Sequence, residues 1–448
     1  MYGEKAITEP TIIAQAEHGI ERHHISHGAL AVLDALHEAG FEAFLVGGGV
    51  RDLLLGLRPK DFDVATDATP DQVKELFARS CRLIGRRFRL AHVRIGREIV
   101  EVATFRGGPD SEDDEAGEHM AVNGRVVRDN VYGTLEQDAW RRDFSVNCLY
   151  YDAQRGIVLD YTGAADDLEK KSLRMIGDPD VRYREDPVRM LRAIRFAAKL
   201  GFSLAKDTER GIGTCAELLH DIPPARLYDE TLKLFMSGHA LATYELLQRY
   251  RLFEFICPET AACMDDIDDD KGLVERFVKQ ALANTDARIK EDKAVTPAFL
   301  FAALLWEPVR RDAAAIEAQG QGAVAAIDSA GVDVLARQVE HVALPRRFSM
   351  VAREIWSIQP RLTQRRGRKG AEQMSKPRFR AGYDFLLLRA EAGEDVSQHA
   401  EWWTAYQAAD ESQRVAMLEK GNGDQPSPGG KKRRRRRRRR PKSQAQPA

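Results

Sequence analysis

A glycine-rich turn followed by two aspartates one residue apart constrains this chain more than any other feature. The run Ala43-Phe44-Leu45-Val46 reads as a strand, leads into Gly47-Gly48-Gly49-Val50-Arg51-Asp52, and is followed by Asp61-Phe62-Asp63-Val64. Successive side chains of an extended segment point to opposite faces, so Asp61 and Asp63 project together while Phe62 and Val64 enter a core. Two carboxylates this close repel unless a divalent cation lies between them, and Mg²⁺ prefers oxygen donors. A glycine turn leading toward a helix offers backbone N–H groups to phosphate, and Arg51 adds a fork-shaped donor. Both features in order, within the 20 residues from Leu45 to Val64, give the layout of a nucleotidyl-transfer site.

The length of 448 residues is too great for one ordinary core and implies about two to four domains. A 43% hydrophobic content is that of a globular protein, and no apolar stretch reaches the roughly 18 residues of a membrane span. The N-terminus has no basic-then-apolar signal pattern. Cys81, Cys148, Cys215, Cys257 and Cys263 are scattered without metal or redox spacing, which predicts reduced thiols in a cytoplasmic protein. The net charge of −1 hides a division: residues 431–442 hold eleven Lys or Arg and no acid, leaving 57 basic against 69 acidic residues before them, a net of −12. Such a tail cannot bury itself, and a polyanion is its natural partner.

Along the chain, residues 1–25 read as a polar leader, and the histidines 18, 23, 24 and 27 in and just beyond it follow no metal-ligand spacing. Ser26 suits a helix N-cap, with Leu30, Val32, Leu33 and Leu36 forming an apolar face closed by Gly40. A short helix over Asp52–Leu55 is expected, then the Asp61 strand, a helix opened by Pro70, and strands over Cys81–Ile84, Ala91–Ile95 and Ile99–Phe105. Ile99, Glu101 and Ala103 share one face of the last strand, which makes Glu101 either an exposed edge acid or a third metal-side carboxylate. Residues 107–118 form an acidic loop, and residues 265–270 form another that lacks the glycine and glutamate of a calcium loop. After residue 165 helical periodicity takes over, with no convincing strand.

Asp138-Ala-Trp-Arg141-Arg142-Asp143-Phe-Ser-Val-Asn147 reads as a helix capped by Asp138, placing Asp143 and Asn147 on one face within reach of a ribose. Arg141 and Arg142 offer charge to phosphates. Glu185-Asp186-Pro187-Val-Arg189 reads as the start of another helix, with Asp186 at the N-cap and Pro187 at the first position. A carboxylate beside a guanidinium can accept from an exocyclic amine and donate to the adjacent ring nitrogen. Adenine and cytosine both present that pattern, so ATP and CTP fit while GTP and UTP do not.

Taken together, Leu45-Val-Gly-Gly-Gly-Val-Arg-Asp52, Asp61-Phe-Asp63, Glu101-Val-Ala-Thr-Phe-Arg106, Arg128-Asp-Asn-Val-Tyr-Gly-Thr134, Arg141-Arg-Asp-Phe144, Glu185-Asp-Pro-Val-Arg189 and Ile222-Pro-Pro-Ala-Arg226 with Glu230 resemble the class II nucleotidyltransferases. That superfamily holds bacterial poly(A) polymerases and tRNA CCA-adding enzymes. The stretch Leu83-Ile-Gly-Arg86-Arg87-Phe88-Arg-Leu-Ala-His92-Val resembles a signature of the former that the latter lack. The resemblance implies an α+β protein: a nucleotidyltransferase head with a small mixed sheet over 26–165, then a helical neck at 166–260, a helical body and tail at 261–410, and a disordered basic C-terminus at 411–448.

It further implies template-independent addition of AMP from ATP to RNA 3′ ends, with two Mg²⁺ ions on Asp61 and Asp63, Glu101 as a further candidate ligand, and Asp143 as the additional catalytic acid. Gly47, Gly48, Arg51, Asp52, Arg141 and Asn147 become nucleotide contacts, and Asp186 with Arg189 reads the base. Implied partners are RNA 3′ ends (of mRNA, decay fragments and small RNAs), ATP and RNA-decay proteins, with the protein a monomer. CCA addition to tRNA is the alternative activity, and a catalytically idle RNA binder the alternative class. Deleting residues 431–448 is expected to weaken RNA binding while sparing the chemical step. Each phosphate interaction removed should reduce the magnitude of the salt slope of affinity by about 0.7, measured by fluorescence anisotropy across a salt series.

Overall fold

The computed structural model describes residues 9–85, 89–107, 119–122, 125–129, 131–266, 272–363 and 372–420. Residues 86–88 of the signature stretch, most of the 107–118 and 265–270 loops, and the basic tail from residue 421 lie outside them. The chain divides into two compact units, Met1–Trp356 and Ser357–Ala448.

The first unit opens with an α+β head. Its strands are β1 (Thr11–Ile13), β2 (Ala43–Val46), β3 (Asp63–Thr66), β4 (Cys81–Ile84), β5 (Leu90–Ile95), β6 (Glu98–Thr104), β7 (His119–Val122), β8 (Arg125–Asp129), β9 (Leu149–Asp152) and β10 (Ile157–Asp160). Eight of them form one mixed sheet in the order β1-β10-β9-β2-β3-β6-β5-β4, while β7 and β8 make a separate hairpin. The pairing of β3 with β6 is parallel, and the other pairings in that sheet are antiparallel.

One face carries Leu45, Val64, Val93, Val100 and Val102, all at most 2% exposed, and packs under the helices His27–Glu38 and Pro70–Phe77. Ser26 caps the first of these, accepting from Ala29 N at 3.1 Å, and Glu98 from β6 accepts from Gly28 N at 3.1 Å. A carboxylate at a helix N-terminus complements the backbone dipole there, so strand β6 and helix are tied by charge as well as by burial. On the opposite face Phe44, Val46, Ala65, Phe105, Ala139, Cys148 and Tyr150 form a second core around the helix Leu135–Arg141. That core covers the half of the sheet around β2, β9 and β10, and among the described residues it does not extend over the β4–β6 half of this face.

Several expectations are corrected. The leader is not a free segment: Thr11-Ile12-Ile13, β-branched throughout, pairs with β10 as the edge strand. The helix after the glycine turn runs Gly48–Leu54, beginning inside the glycine run. The predicted helix through Asn147 stops early. Thr134, not Asp138, is its cap, with Gln137 completing a capping box, and Arg142 turns extended at ψ 166°. Asp143 therefore lies beyond the helix, and Leu149–Asp152 is a strand buried along its whole length. After residue 165, Ser172–Leu173 (β11) and Ser203–Leu204 (β12) form a short parallel pair.

The remainder is helical. Val188–Leu200 buries Val188, Leu191 and Ile194, and Pro224–Phe235, Ala240–Arg249 and Leu273–Lys290 follow it in the first unit. The second unit centres on Trp403 with Leu362, Phe379, Tyr383, Leu386 and Tyr406, and Trp403 Nε1 donates to Leu362 O at 2.8 Å. Among the described residues no helix is long and apolar enough to cross a membrane.

Asp138 is the buried hinge pin between helix and sheet. It accepts from Tyr150 Oη at 2.7 Å, from Arg142 Nη2 at 2.8 Å and from Arg106 N at 3.3 Å, and this ion pair holds the Arg142 guanidinium well above its ordinary pKa despite burial, the largest opposing influence. Asp138→Ala would strand Arg142 in the core. The expected loss is about 3–5 kcal/mol of unfolding free energy by urea titration, against about 1 kcal/mol or less for an exposed pair such as Arg210–Asp207.

Candidate active site

Strand β2 ends at Val46, opposite Asp63 in antiparallel register. Gly47 then takes φ 75°, ψ −139°, a conformation essentially confined to glycine. Two residues on, a Cβ at Gly49 would lie 3.3 Å from Phe62 Cδ1 and 3.4 Å from Asp61 O. The bare backbone lets the helix start press against the Asp61–Phe62 segment. The consequence is that Asp63 Oδ2 sits 3.8 Å from where a Gly47 side chain would begin. Glycine turn and carboxylate are thus brought together by strand register. Phe62 and Val64 are 8% and 0% exposed, while Asp61 is exposed and Asp63 half-buried, the alternation expected although β3 itself starts only at Asp63.

Parallel pairing places Glu101 of β6 directly opposite Asp63. Burial, and then the charges of Glu101 and Asp61, raise the Asp63 carboxyl from 3.8 to about 6, with Arg142 pulling the other way. Glu101 is not an edge acid, since β6 lies between β3 and β5; its Oε2 stands 3.4 Å from His92 Nε2. Among the described residues no three metal-ligating side chains are gathered closely enough to hold an ion, so a ready-made triad of Asp61, Asp63 and Glu101 is not present. The donor chemistry nonetheless suits Mg²⁺: oxygen ligands only, and a strained carboxylate whose repulsion a divalent cation would relieve.

Arg51 departs from expectation. It is 2% exposed, donates through Nε and Nη2 to Asp52 Oδ1 at 2.8 and 2.6 Å, and through Nη1 to Asn147 Oδ1. Its guanidinium organises the protein rather than facing solvent, and Asp52 and Asn147 are its partners. Asp143 is likewise held inward. Burial would raise its pKa, but Arg192, donating from Nε at 2.8 Å, and the Phe144 N–H keep the carboxyl below its ordinary value. Asp143 and Asn147 share no helix face; the first joins the Val188–Leu200 helix and the second the Gly48–Leu54 helix.

Arg141 donates to Gly107 O at 2.8 Å, and burial with Arg106, Arg182, Arg189 and Arg142 nearby lowers its pKa to about 9. Crowded, partly desolvated guanidiniums of this kind favour an incoming anion. Arg189 belongs to that group and donates to Arg182 O at 2.8 Å and Glu185 Oε2 at 2.7 Å. Asp186 is not paired with Arg189: it is extended, accepts from Val188 N at 3.3 Å in the manner of a cap, and takes Arg226 Nη2 at 2.6 Å. Arg192 and Arg226 carry no assigned role in the sequence reading, and Asp138 only that of a cap. Nothing local in the sequence pairs Arg192 with Asp143, 49 residues earlier.

Comparison with known proteins matches three families along the chain: "Poly A polymerase head domain" at residues 43–174, "Probable RNA and SrmB- binding site of polymerase A" at 201–264 and "Polymerase A arginine-rich C-terminus" at 319–441. Poly(A) polymerase I of Salmonella typhi is 47% identical over 431 residues, covering 95% of this chain and 92% of that protein. The chain belongs to the bacterial poly(A) polymerase I family. A CCA-adding enzyme of Lactobacillus helveticus is more distant, 37% identical over 50% of this chain and 54% of its own length. Among solved structures, the Bacillus stearothermophilus CCA-adding enzyme in complex with CTP superposes with a TM-score of 0.55 and 25% identity, covering 84% of this chain and 80% of that one. The chain therefore shares its fold with a CCA-adding enzyme over most of its length.

Because Asp63 titrates higher in the fold than its ordinary value, the stability it contributes is fully present below about pH 4 and lost as pH rises through about 6. Ionised at neutral pH without a cation, it costs the fold on the order of 3 kcal/mol. Asp63→Asn is expected to raise the melting temperature of the metal-free protein near neutral pH, with little change near pH 4. Calorimetry on the unmodified chain and the variant at the two pH values checks this.

Proposed function

We propose that this site transfers AMP from ATP to the 3′-hydroxyl of RNA without a template. The RNA 3′ oxygen bonds to the α-phosphorus, the α–β phosphoanhydride bond breaks, pyrophosphate leaves, and the hydroxyl proton passes to solvent. The observation carrying this reading is the extent of the likeness. It runs along 95% of the chain to a poly(A) polymerase I, and along only 50% to a CCA-adding enzyme.

Asp61 and Asp63 are the residues that would hold Mg²⁺, and the chemistry such ions supply when bound is a lowered hydroxyl pKa and neutralised phosphate charge. Gly47 keeps the approach to Asp63 free of side-chain atoms. The Arg141 group draws the negative triphosphate. Asp186 and Arg189 stand one helical turn apart at the start of Val188–Leu200, where carboxylate and guanidinium together accept adenine or cytosine. Arg226 and Glu185 fix the two side chains in place before a base arrives, which lowers the ordering cost of binding. Asp143 acts through Arg192, holding the base-reading helix to the head. RNA 3′ ends of mRNA, decay fragments and small RNAs are the proposed acceptors, in the cytoplasm.

The CTP carried by the structural neighbour keeps CCA addition as the second reading. One assay separates them: labelled ATP or CTP, Mg²⁺, an unstructured oligonucleotide and a tRNA lacking its terminal bases. Long A-tails on both RNAs are expected. A short fixed addition confined to the tRNA would indicate CCA repair, and no product would indicate an idle RNA binder. Asp61→Ala and Asp63→Ala should each abolish tailing with RNA affinity nearly unchanged.

A further inference from the structure

Among the described residues, helices cover the half of the head sheet beyond Asp63 on one side only. On the covered side, Cys81, Ala91, Val93, Val100 and Val102 are at most 3% exposed beneath the two helices. The alternate residues of the same strands point the other way. Cross-strand register aligns four of them in a row: Arg82 opposite His92, His92 opposite Glu101, Glu101 opposite Asp63. Three strand spacings of about 4.8 Å put Arg82 roughly 14 Å from Asp63 along this row.

The composition of the bare face is unlike that of a solvated sheet. Arg82 and Arg94 are exposed, Ile84 and Leu90 half-exposed, and Ile99 is 49% exposed. Its one acid outside the Asp61–Asp63 pair, Glu101, is approached by His92. The other charges on these strands are used on the covered side, Glu98 at the helix N-terminus and Arg89 on Asp71 at 2.9 Å. What remains is cationic and apolar, and continuous with the reacting carboxylate. A strand of nucleic acid has that complement: phosphates for the guanidiniums and flat apolar base faces for the aliphatic side chains.

We propose that the open face of β4, β5 and β6 seats the 3′-terminal nucleotides of the priming RNA, with Arg82 and Arg94 on its phosphates and Ile99 beneath a base. The proposal rests on the adenylyl-transfer reading and adds to it the direction from which the acceptor strand reaches Asp63. The row of paired residues fixes that direction: the 3′-hydroxyl end lies over β3, and the preceding nucleotides run outward toward β4.

The test uses the full-length chain with Arg82→Glu and Arg94→Glu combined, a short oligoadenylate primer, ATP and Mg²⁺. The KM for primer is expected to rise about tenfold or more, with the KM for ATP and the melting temperature unchanged. The slope of log affinity against log salt should fall in magnitude by about 1.4 when two phosphates are no longer neutralised. A photoreactive thio-base at the primer 3′ end should crosslink to Leu90–Ile95 or Glu98–Thr104. A double variant with unaltered primer KM and salt slope would overturn the proposal and leave the face to a partner other than RNA. So would crosslinks found only elsewhere. The unmodified chain, run alongside, separates the two claims: if it makes tails, such a result removes this face alone, whereas no tailing removes the activity as well.

Discussion

Repulsion between Asp63 and Glu101 is the constraint around which the head is organised. Parallel pairing of β3 with β6 makes the two carboxylates neighbours, and burial first, with the Glu101 charge next, raises the Asp63 carboxyl to about 6. Parallel strands need a crossover, here the Pro70–Phe77 helix with β4 and β5. That helix packs against β4, β5 and β6 on the side away from Asp63. The pairing that creates the strained carboxylates therefore also leaves the sheet bare beside them. Gathering acid in this way costs stability, and on the proposed reading a bound cation would offset that cost, the familiar opposition between activity and stability.

Opposite charge joins the head to the first neck helices. Asp143 of the head meets Arg192 of the neck, Arg182 Nη2 reaches back to donate to the Arg142 carbonyl at 2.7 Å, and within the neck Asp186 meets Arg226. Buried pairs of this sort contribute little net stability, since desolvation offsets much of the Coulomb gain, but removing one partner is costly. Their effect is geometric: the Val188–Leu200 helix, which carries Arg189 and Arg192, cannot shift without unpairing a desolvated charge. The same economy of space crowds Arg106, Arg141, Arg142, Arg182 and Arg189 together, and burial with this crowding lowers the Arg141 pKa to about 9. Repelling acids on one side and crowded arginines on the other are complementary to a metal-bound triphosphate.

Much of this is legible in the residues alone. The alternation of Asp61, Phe62, Asp63 and Val64 follows from strand geometry, and Ser26, Thr69 and Pro70 sit where cap preferences put them. The strand expected over Cys81–Ile84 has those bounds in the fold. What escapes depends on distant partners. Arg51 looks like a phosphate fork until Asn147, 96 residues later, is found beside it. The pairing of Asp143 with Arg192, 49 residues later, is equally invisible locally. The stretch through Asn147 has acceptable helical spacing, yet the Arg142 break and the burial of Leu149–Asp152 between β2 and β10 decide otherwise, a tertiary override of local pattern.

The position of the signature residues bears on how two activities share one head. On the proposed reading Asp186 and Arg189 suit adenine and cytosine alike, so that pair by itself has little power to separate tail synthesis from CCA repair. The described ends of the stretch that resembles poly(A) polymerases, Leu83–Ile84 and Leu90–Val93, lie on β4 and β5, which carry the open face. On the proposed reading the branches of the superfamily diverge on the acceptor side. A surface that grips backbone phosphate and any base accepts successive identical 3′ ends, and nothing in it registers how many residues have been added. Counting requires a site that changes with each addition; a cationic, aliphatic sheet face presents the same surface to every new end.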